Sequence, residues 1–255
     1  MGLYRYDMGV GVEAFSTERG AVLPFPVIQA HQVHGDRVAR VYMDGSRLMA
    51  SAPGTEPGPC WGSVETGSDR SIPPAIDGVD ALVTDVPGTA IGARTADCIP
   101  VLLHDPVHHA VAAIHAGWRG TVARIPAKAV AAMAEWYGTD PADVLAVIGP
   151  GIGPESFQVG REVADAFEAA GYDMSEILTD EGPVCSQLSG AARSMRGGLH
   201  IDLWRANELT LIDAGVPAGQ IGISGIDTYL AADQFYSARR ETIACPRIIN
   251  AIRIL

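Results

Sequence analysis

Two apolar runs, IPVLLHD and AVAAIHA, flank the short stretch PVHH, and they limit what this chain can become more tightly than any other feature. Asp105-Pro106 is a turn-forming pair, so a β-hairpin is the simplest connection between the runs. A hairpin sets the beginning of the first run beside the end of the second. Cys98 stands just before the first run and His115 closes the second, at about equal distances from the turn. A thiol and an imidazole are therefore expected at one sheet edge. Asp97 precedes the cysteine, and the tight run Gly117-Trp118-Arg119-Gly120 follows the histidine.

The rest of the chain supplies partners for such a hairpin. Short β-branched runs bounded by Gly, Pro or Asp predict strands near 10–17, 27–33, 37–43, 80–85, 89–95, 99–104, 110–115, 144–148, 199–203, 221–224 and 247–254. Three helices are expected. Thr121 is placed to cap the first, with Ile125, Ala129, Met133 and Trp136 on one face, Pro126 as a kink and Gly138 as a stop. The second covers 160–170, with Val163, Phe167 and Ala170 facing inward, and the third covers 203–214, with Ala206, Leu209 and Ile212 inward. Residues 43–78 are dense in Gly, Pro and Ser without periodicity and read as a long surface loop inside one domain of 1–255. The irregular alternation of strands and helices predicts an α/β protein with a mixed sheet.

A thiol and an imidazole at one edge form either a metal site or a thiolate–imidazolium pair. A third ligand would decide for metal. In QAHQVHGDRV, His31 and His34 point to opposite faces of a strand, and His34, beside Gly35, is the better candidate. His34, Cys98 and His115 make a borderline-soft set suited to zinc, with the fourth position open for chemistry. Gly117 leaves room for a ligand near the backbone, and Arg119 can grip an anion bidentately, with Arg240 as a second candidate. Arg239 and Arg240 could equally be a solvated pair. Trp118 could pack on a planar ring or lie as a lid over the core. Asp97 could move a proton, cap the turn or orient His115. Asp80 and Asp85 read as turn residues, His200 as a strand residue with a local hydrogen bond, and His104, His108 and His109 as a solvated turn or an adventitious copper site.

Charge narrows the partners. Thirty acids against 18 bases give a formal charge of −12, which repels nucleic acid and acidic membrane surfaces, so a small molecule is expected instead. No run has the roughly 18 apolar residues of a membrane span, and the start MGLYRYDMGVGVEAF does not resemble a secretory signal, so a cytoplasmic protein is expected. Four scattered cysteines, Cys60, Cys98, Cys185 and Cys245, do not form a disulfide framework.

The segments QVHG, DALVT, TADCIPVLLHDPVHHAVAAIHAGWRGTV, IGPGIGPESFQVGREV, ISGIDTY and FYSARR, in that order, resemble the YfiH family, also called peptidoglycan editing factor or polyphenol oxidoreductase laccase-domain proteins. The resemblance implies a single α/β domain of the cytotoxic necrotizing factor type, strands sandwiched with helices, and a metal site at His34, Cys98 and His115. It also implies purine nucleoside chemistry: phosphorolysis of adenosine, inosine, guanosine or methylthioadenosine, and deamination of adenosine. Older descriptions of the family imply a copper-dependent laccase. Where the family often carries cysteine, this chain has Gly151 and Asp227. The expected protein is thus a zinc enzyme (copper possible as the native metal) acting on a nucleoside and phosphate as a monomer or homodimer. The alternatives are a laccase-like oxidoreductase and a metal-free hydrolase with Cys98 as nucleophile and His115 as base.

Overall fold

A computed structural model describes residues 2–59, 76–180 and 198–255. Cys60, Cys185 and residues 60–75 of the expected loop lie outside the described residues. The first half of the chain holds β1 (Leu3–Tyr6), β2 (Val12–Thr17), β3 (Ile28–Gln29), β4 (Val38–Asp44), β5 (Arg47–Ser51), β6 (Gly58–Pro59), β7 (Ala81–Thr84), β8 (Ala90–Thr95), β9 (Ile99–Asp105) and β10 (Ala110–Ala116). Then come α1 (Trp118–Val122), α2 (Ile125–Tyr137), β11 (Leu145–Ile148), β12 (Gln158–Val159), α3 (Arg161–Ala169), α4 (Met174–Ile177), β13 (Leu178–Thr179) and β14 (Leu199–Ile201). The chain closes with α5 (Leu203–Asp213), β15 (Ile221–Ile223), α6 (Ala238–Glu241) and β16 (Ile248–Ile254).

The strands form a mixed sheet in the order β15-β11-β9-β10-β7-β4-β5-β6, a second sheet in the order β1-β2-β16-β8-β3, and a small sheet β12-β14-β13. The hairpin lies in the middle of the first. Its register pairs Ala116 with Ile99 and His115 with Pro100. Both strands are buried along their whole length, because Ile99, Val101, Leu103, Ala112 and Ile114 pack toward α2, α3 and α5, while Leu102, Val111 and Ala113 pack toward Ile91 and Ile252 of the second sheet. Covering on both sides explains why the two runs are continuously apolar rather than alternating. Leucines this enclosed each contribute about 1.5–3 kcal/mol through burial. No helix among the described residues is long and apolar enough to cross a membrane.

Several expectations need correction. Thr121 does not cap a helix; it lies inside α1, where its hydroxyl donates back to the Gly117 carbonyl. Arg124, in the left-handed region at φ 57°, separates α1 from α2. Pro126 then sits in the first turn of α2, where its missing N–H has no partner to lose, and it introduces no kink. Gly138 ends α2 at φ 76° as expected. On α5 the inward face is Leu203, Ala206, Asn207, Thr210 and Leu211, whereas Leu209 and Ile212 are half-buried. Two polar residues can occupy that face because Asn207 donates to Leu203 O and Thr210 to Ala206 O. Part of 43–78 is not loop: β5 pairs with β4 from Arg40 with Ser51 to Asp44 with Arg47.

Candidate metal centre

The hairpin delivers what its register promises. Cys98 lies one residue before β9 and His115 one residue from the end of β10, so they meet at the open end of the hairpin. His34 arrives from the connection between β3 and β4. One ligand atom from each of His34, Cys98 and His115 lies within 4.8 Å of the others, and the two imidazole rings stand edge to face at 4.8 Å and 78°. His34 is exposed, Cys98 half-buried and His115 buried, so the trio grades from solvent into the core.

Asp80 assembles the trio, correcting its reading as a plain turn residue. Its Oδ1 accepts from His115 Nδ1 at 2.8 Å and from the His34 backbone N–H at 2.9 Å. Its Oδ2 accepts from Gly35 N at 2.8 Å and Val33 N at 3.2 Å. A buried carboxylate satisfied by four donors fixes two of the three ligand residues at once. It also holds His34 in the left-handed region at φ 61°, which histidine seldom adopts. With Nδ1 committed to Asp80, His115 presents Nε2 to the cluster, the carboxylate–histidine arrangement that orients metal ligands.

Electrostatics support the same picture. Burial pushes the Cys98 thiol up, but charge on His115 and hydrogen bonds from His115 and His34 outweigh it and bring the thiol down to about 6. Burial pushes His115 down, and the Cys98 thiolate and the Asp80 carboxylate together raise it to about 9. Burial raises the Asp80 carboxyl, yet its bonds from His115, Gly35 and Val33 leave it below the usual range. The cysteine is thus held as the thiolate that metal binding or nucleophilic attack requires. Gly117 borders the cluster so closely that a Cβ there would stand 3.1 Å from His34 Cδ2 and 3.3 Å from Cys98 Sγ.

The trio opens onto a cavity of about 640 Å³ whose lining includes Gln32, Arg94, Asp97, Phe157, Arg239 and Arg247. Asp97 reaches this lining but does not touch His115 as one expectation had it. Its carboxylate accepts from Thr228 Oγ1 and from the Arg239 backbone N–H, both at 2.7 Å, and so ties the strand edge to α6. Arg119 and Trp118 are not among the lining residues; Arg119 is exposed and its guanidinium stacks 4.3 Å above the Trp118 ring. Their place in α1 turns them away from the hairpin edge. Arg240 is occupied too, because its guanidinium donates to the carbonyls of Thr228, Tyr229 and Phe235 and pairs with Glu241. Three other arginines, Arg94, Arg239 and Arg247, face the cavity instead.

His31 Nδ1 pairs with exposed Asp77, and His200 on β14 bonds Gly198 O, as expected. His104 is buried rather than solvated, with Nδ1 on the Met8 carbonyl at 2.7 Å.

The sequence matches the family described as multi-copper polyphenol oxidoreductase laccase over residues 12–255. A purine nucleoside phosphorylase of Bacteroides thetaiotaomicron is 45% identical over 179 residues, which cover 70% of this chain and 62% of that protein. Adenosine deaminase RL5, from an unknown prokaryotic organism, is 36% identical over 259 residues, 95% of this chain and 94% of that protein. The match thus spans less than two thirds of the first relative and nearly all of the second. The crystal structure of the YfiH protein of Bacillus licheniformis, 25% identical, superposes with a TM-score of 0.73 over 96% of this chain and 93% of that one.

Proposed function

The chain belongs to the family described as multi-copper polyphenol oxidoreductase laccase, and from that premise we propose that it is a metal-dependent purine nucleoside enzyme. It cleaves adenosine, inosine, guanosine or methylthioadenosine with phosphate to the free base and the sugar 1-phosphate, and deaminates adenosine at the same site. The observation that carries this reading is the opening of the His34–Cys98–His115 cluster onto an arginine-walled cavity. Relatives named for both activities support it.

The donor set fits zinc: two imidazoles and a thiolate converge, with Asp80 holding one imidazole and the backbone of the other. Zinc held by these three residues would supply Lewis acidity to the reaction. The chain's own groups do the rest. Guanidinium groups on the cavity wall hold phosphate so that one oxygen can bond to the anomeric carbon as the bond to the purine nitrogen breaks. The purine nitrogen keeps the bonding pair and takes up a proton. In deamination, water oxygen bonds to the ring carbon as its bond to the amino nitrogen breaks; one water proton leaves on that nitrogen as ammonia and the other passes to the ring nitrogen. Half-buried Phe157 offers a flat apolar wall for the purine, and Asp97 is a positioning residue that keeps α6 against the cavity. Partners are small molecules, and a cytoplasmic monomer or homodimer of one domain accommodates such a site.

A second reading, weak single-copper oxidation of phenols, has the family description and the His₂Cys donor set in its favour. A multi-copper centre needs several further imidazoles close by, whereas His104, His108 and His109 sit at the far end of the hairpin, His200 on β14, and only His31, bonded through Nδ1 to Asp77, shares the cavity wall.

The test is to incubate metal-defined protein with adenosine, inosine and methylthioadenosine, with and without phosphate, and to separate the products. Free base plus sugar phosphate supports phosphorolysis, inosine from adenosine supports deamination, and inert mixtures reject both.

A further inference from the structure

Arg94 is the last residue but one of β8, and Arg247 lies immediately before β16. The two strands pair antiparallel, Ile249 opposite Arg94 and Ile248 opposite Thr95. Arg247 is the first residue beyond the last pair of that ladder. Arg94 and Arg247 thus sit at the same end of the β8–β16 ladder, near enough for the charge of one to act on the other. Both line the cavity onto which the His34–Cys98–His115 cluster opens.

Like charges placed this way repel, and among the described residues no carboxylate pairs with either. Among the described residues the Arg94 guanidinium has no hydrogen-bond or ion-pair partner. Its backbone is nonetheless fixed on both sides, because Gln32 donates to Arg94 O and accepts from Arg94 N, each at 2.8 Å. The Arg247 side chain is pinned against its own loop by the carbonyls of Ile243 and Cys245 and the Cys245 sulfur, which leaves two of its five N–H donors free. Burial and the nearby charge of Arg247 both lower the Arg94 pKa, which registers the uncompensated repulsion. Arg239 adds a third positive charge to the lining against a single carboxylate, Asp97, whose two oxygens already accept hydrogen bonds. Arg239 donates to the Gln158 carbonyl, so a protein with a formal charge of −12 has gathered three guanidinium groups beside its candidate metal ligands with no carboxylate ion pair among the described residues.

We propose that Arg94 and Arg247 form the subsite for a phosphate dianion, which bridges the two guanidinium groups next to the metal cluster. This rests on the nucleoside-enzyme reading and deepens it by assigning the anion to the β8–β16 wall rather than to Arg119 or Arg240. A tetrahedral dianion can take paired N–H donors from both forks at once. The shared chemistry admits two sources: inorganic phosphate as co-substrate, or the phosphate ester of a nucleotide.

Calorimetric titration of the metal-loaded protein with inorganic phosphate, and separately with adenosine 5′-monophosphate, tests the assignment. One phosphate site per chain is expected, weakened about tenfold or more in Arg94→Met and in Arg247→Met, with Arg94→Lys intermediate and Arg119→Ala unchanged. Phosphate should also raise the melting temperature of the wild type more than that of Arg94→Met, a linkage effect that a merely structural arginine does not produce. In steady state the KM for phosphate should rise in the arginine variants far more than the KM for inosine. If only the monophosphate binds in an Arg94-dependent way, the subsite stands and its anion belongs to a nucleotide. Phosphate binding that depends on Arg94, without any phosphorolysis, keeps the subsite and rejects the phosphorylase reading. Phosphorolysis with an unaltered phosphate KM in Arg94→Met, Arg94→Lys and Arg247→Met, or equal binding of both probes by wild type and these variants, overturns the subsite.

Discussion

At each end of the β9–β10 hairpin a buried aspartate grips a histidine. Asp80 holds His115 at 2.8 Å at the open end, and Asp105 holds His108 at 2.9 Å at the turn. Each carboxylate also collects backbone N–H groups: His34, Gly35 and Val33 for Asp80, Val107 and His108 for Asp105. Up to that point the two ends are alike. The difference lies in what surrounds the second imidazole nitrogen. The His115 side chain is 3% exposed and meets a thiol and another imidazole beside a cavity, whereas that of His108 is 38% exposed and faces water. A carboxylate–histidine pair is therefore a staple by default, and becomes part of a site only where further donors converge on the same side.

The largest contrast is expected from the thiol. Cys98→Ser should abolish metal retention and drive nucleoside turnover to background, while His108→Ala at the turn changes neither, as metal analysis and product assays would show. Turnover surviving in Cys98→Ser would erase the distinction between the two ends.

Next come the aspartates. Asp80→Asn should lower metal affinity about 10–100-fold, the usual cost of losing a group that orients a ligand, and destabilise the fold by about 1–3 kcal/mol. Asp105→Asn should show a similar loss of stability with unaltered metal affinity. Chelator competition and urea unfolding of the two variants side by side would reveal either pattern.

The thiols give a pH-dependent version. Cys98 lies near 6, but burial pushes Cys245 above its ordinary value. In metal-free protein at pH 7, iodoacetamide should label Cys98 at least about tenfold faster than Cys245, because the thiolate is the attacking species. The sign for stability follows: a thiol depressed in the folded state stabilises it fully above the ordinary value of 9.0, and that contribution fades as the pH falls through about 6. Metal affinity should fall in the same acidic direction. Equal labelling rates would remove the evidence for a held thiolate.

The smallest effect is expected at the glycines. Gly117→Ala crowds His34 and Cys98 and should weaken metal by about threefold, since side-chain ends can shift slightly. Gly138→Ala, at φ 76° on the turn side, should cost about 1 kcal/mol with no effect on metal. Thermal melts and metal titrations separate the two.

These contrasts follow from features of unequal visibility in the sequence. The hairpin and the meeting of Cys98 with His115 were legible because apolar runs around Asp105-Pro106 determine register locally. His34 was legible from its residue type and a neighbouring glycine. Asp80 was not, because its role is a through-space relation to residues 33–35 and 115 that a short motif does not encode. Arg94 and Arg247 were missed for the same reason: β8 and β16 are neighbours only in the folded sheet. The two-residue strands β3, β6, β12 and β13 are too short for periodicity to declare their pairing. The inward face of α5 was misread because Asn207 and Thr210 satisfy their polar atoms within the helix, which hydrophobic spacing cannot anticipate.

His34 separates a three-donor metal centre from a cysteine–histidine pair more sharply than any other position. Zinc content and inosine phosphorolysis should be measured together in the wild type and in His34→Ala. One zinc per wild-type chain, with metal and turnover lost together in the variant, is the expected result. Substantial turnover by metal-free His34→Ala would leave Cys98 and His115 acting alone and end the metal-centre reading.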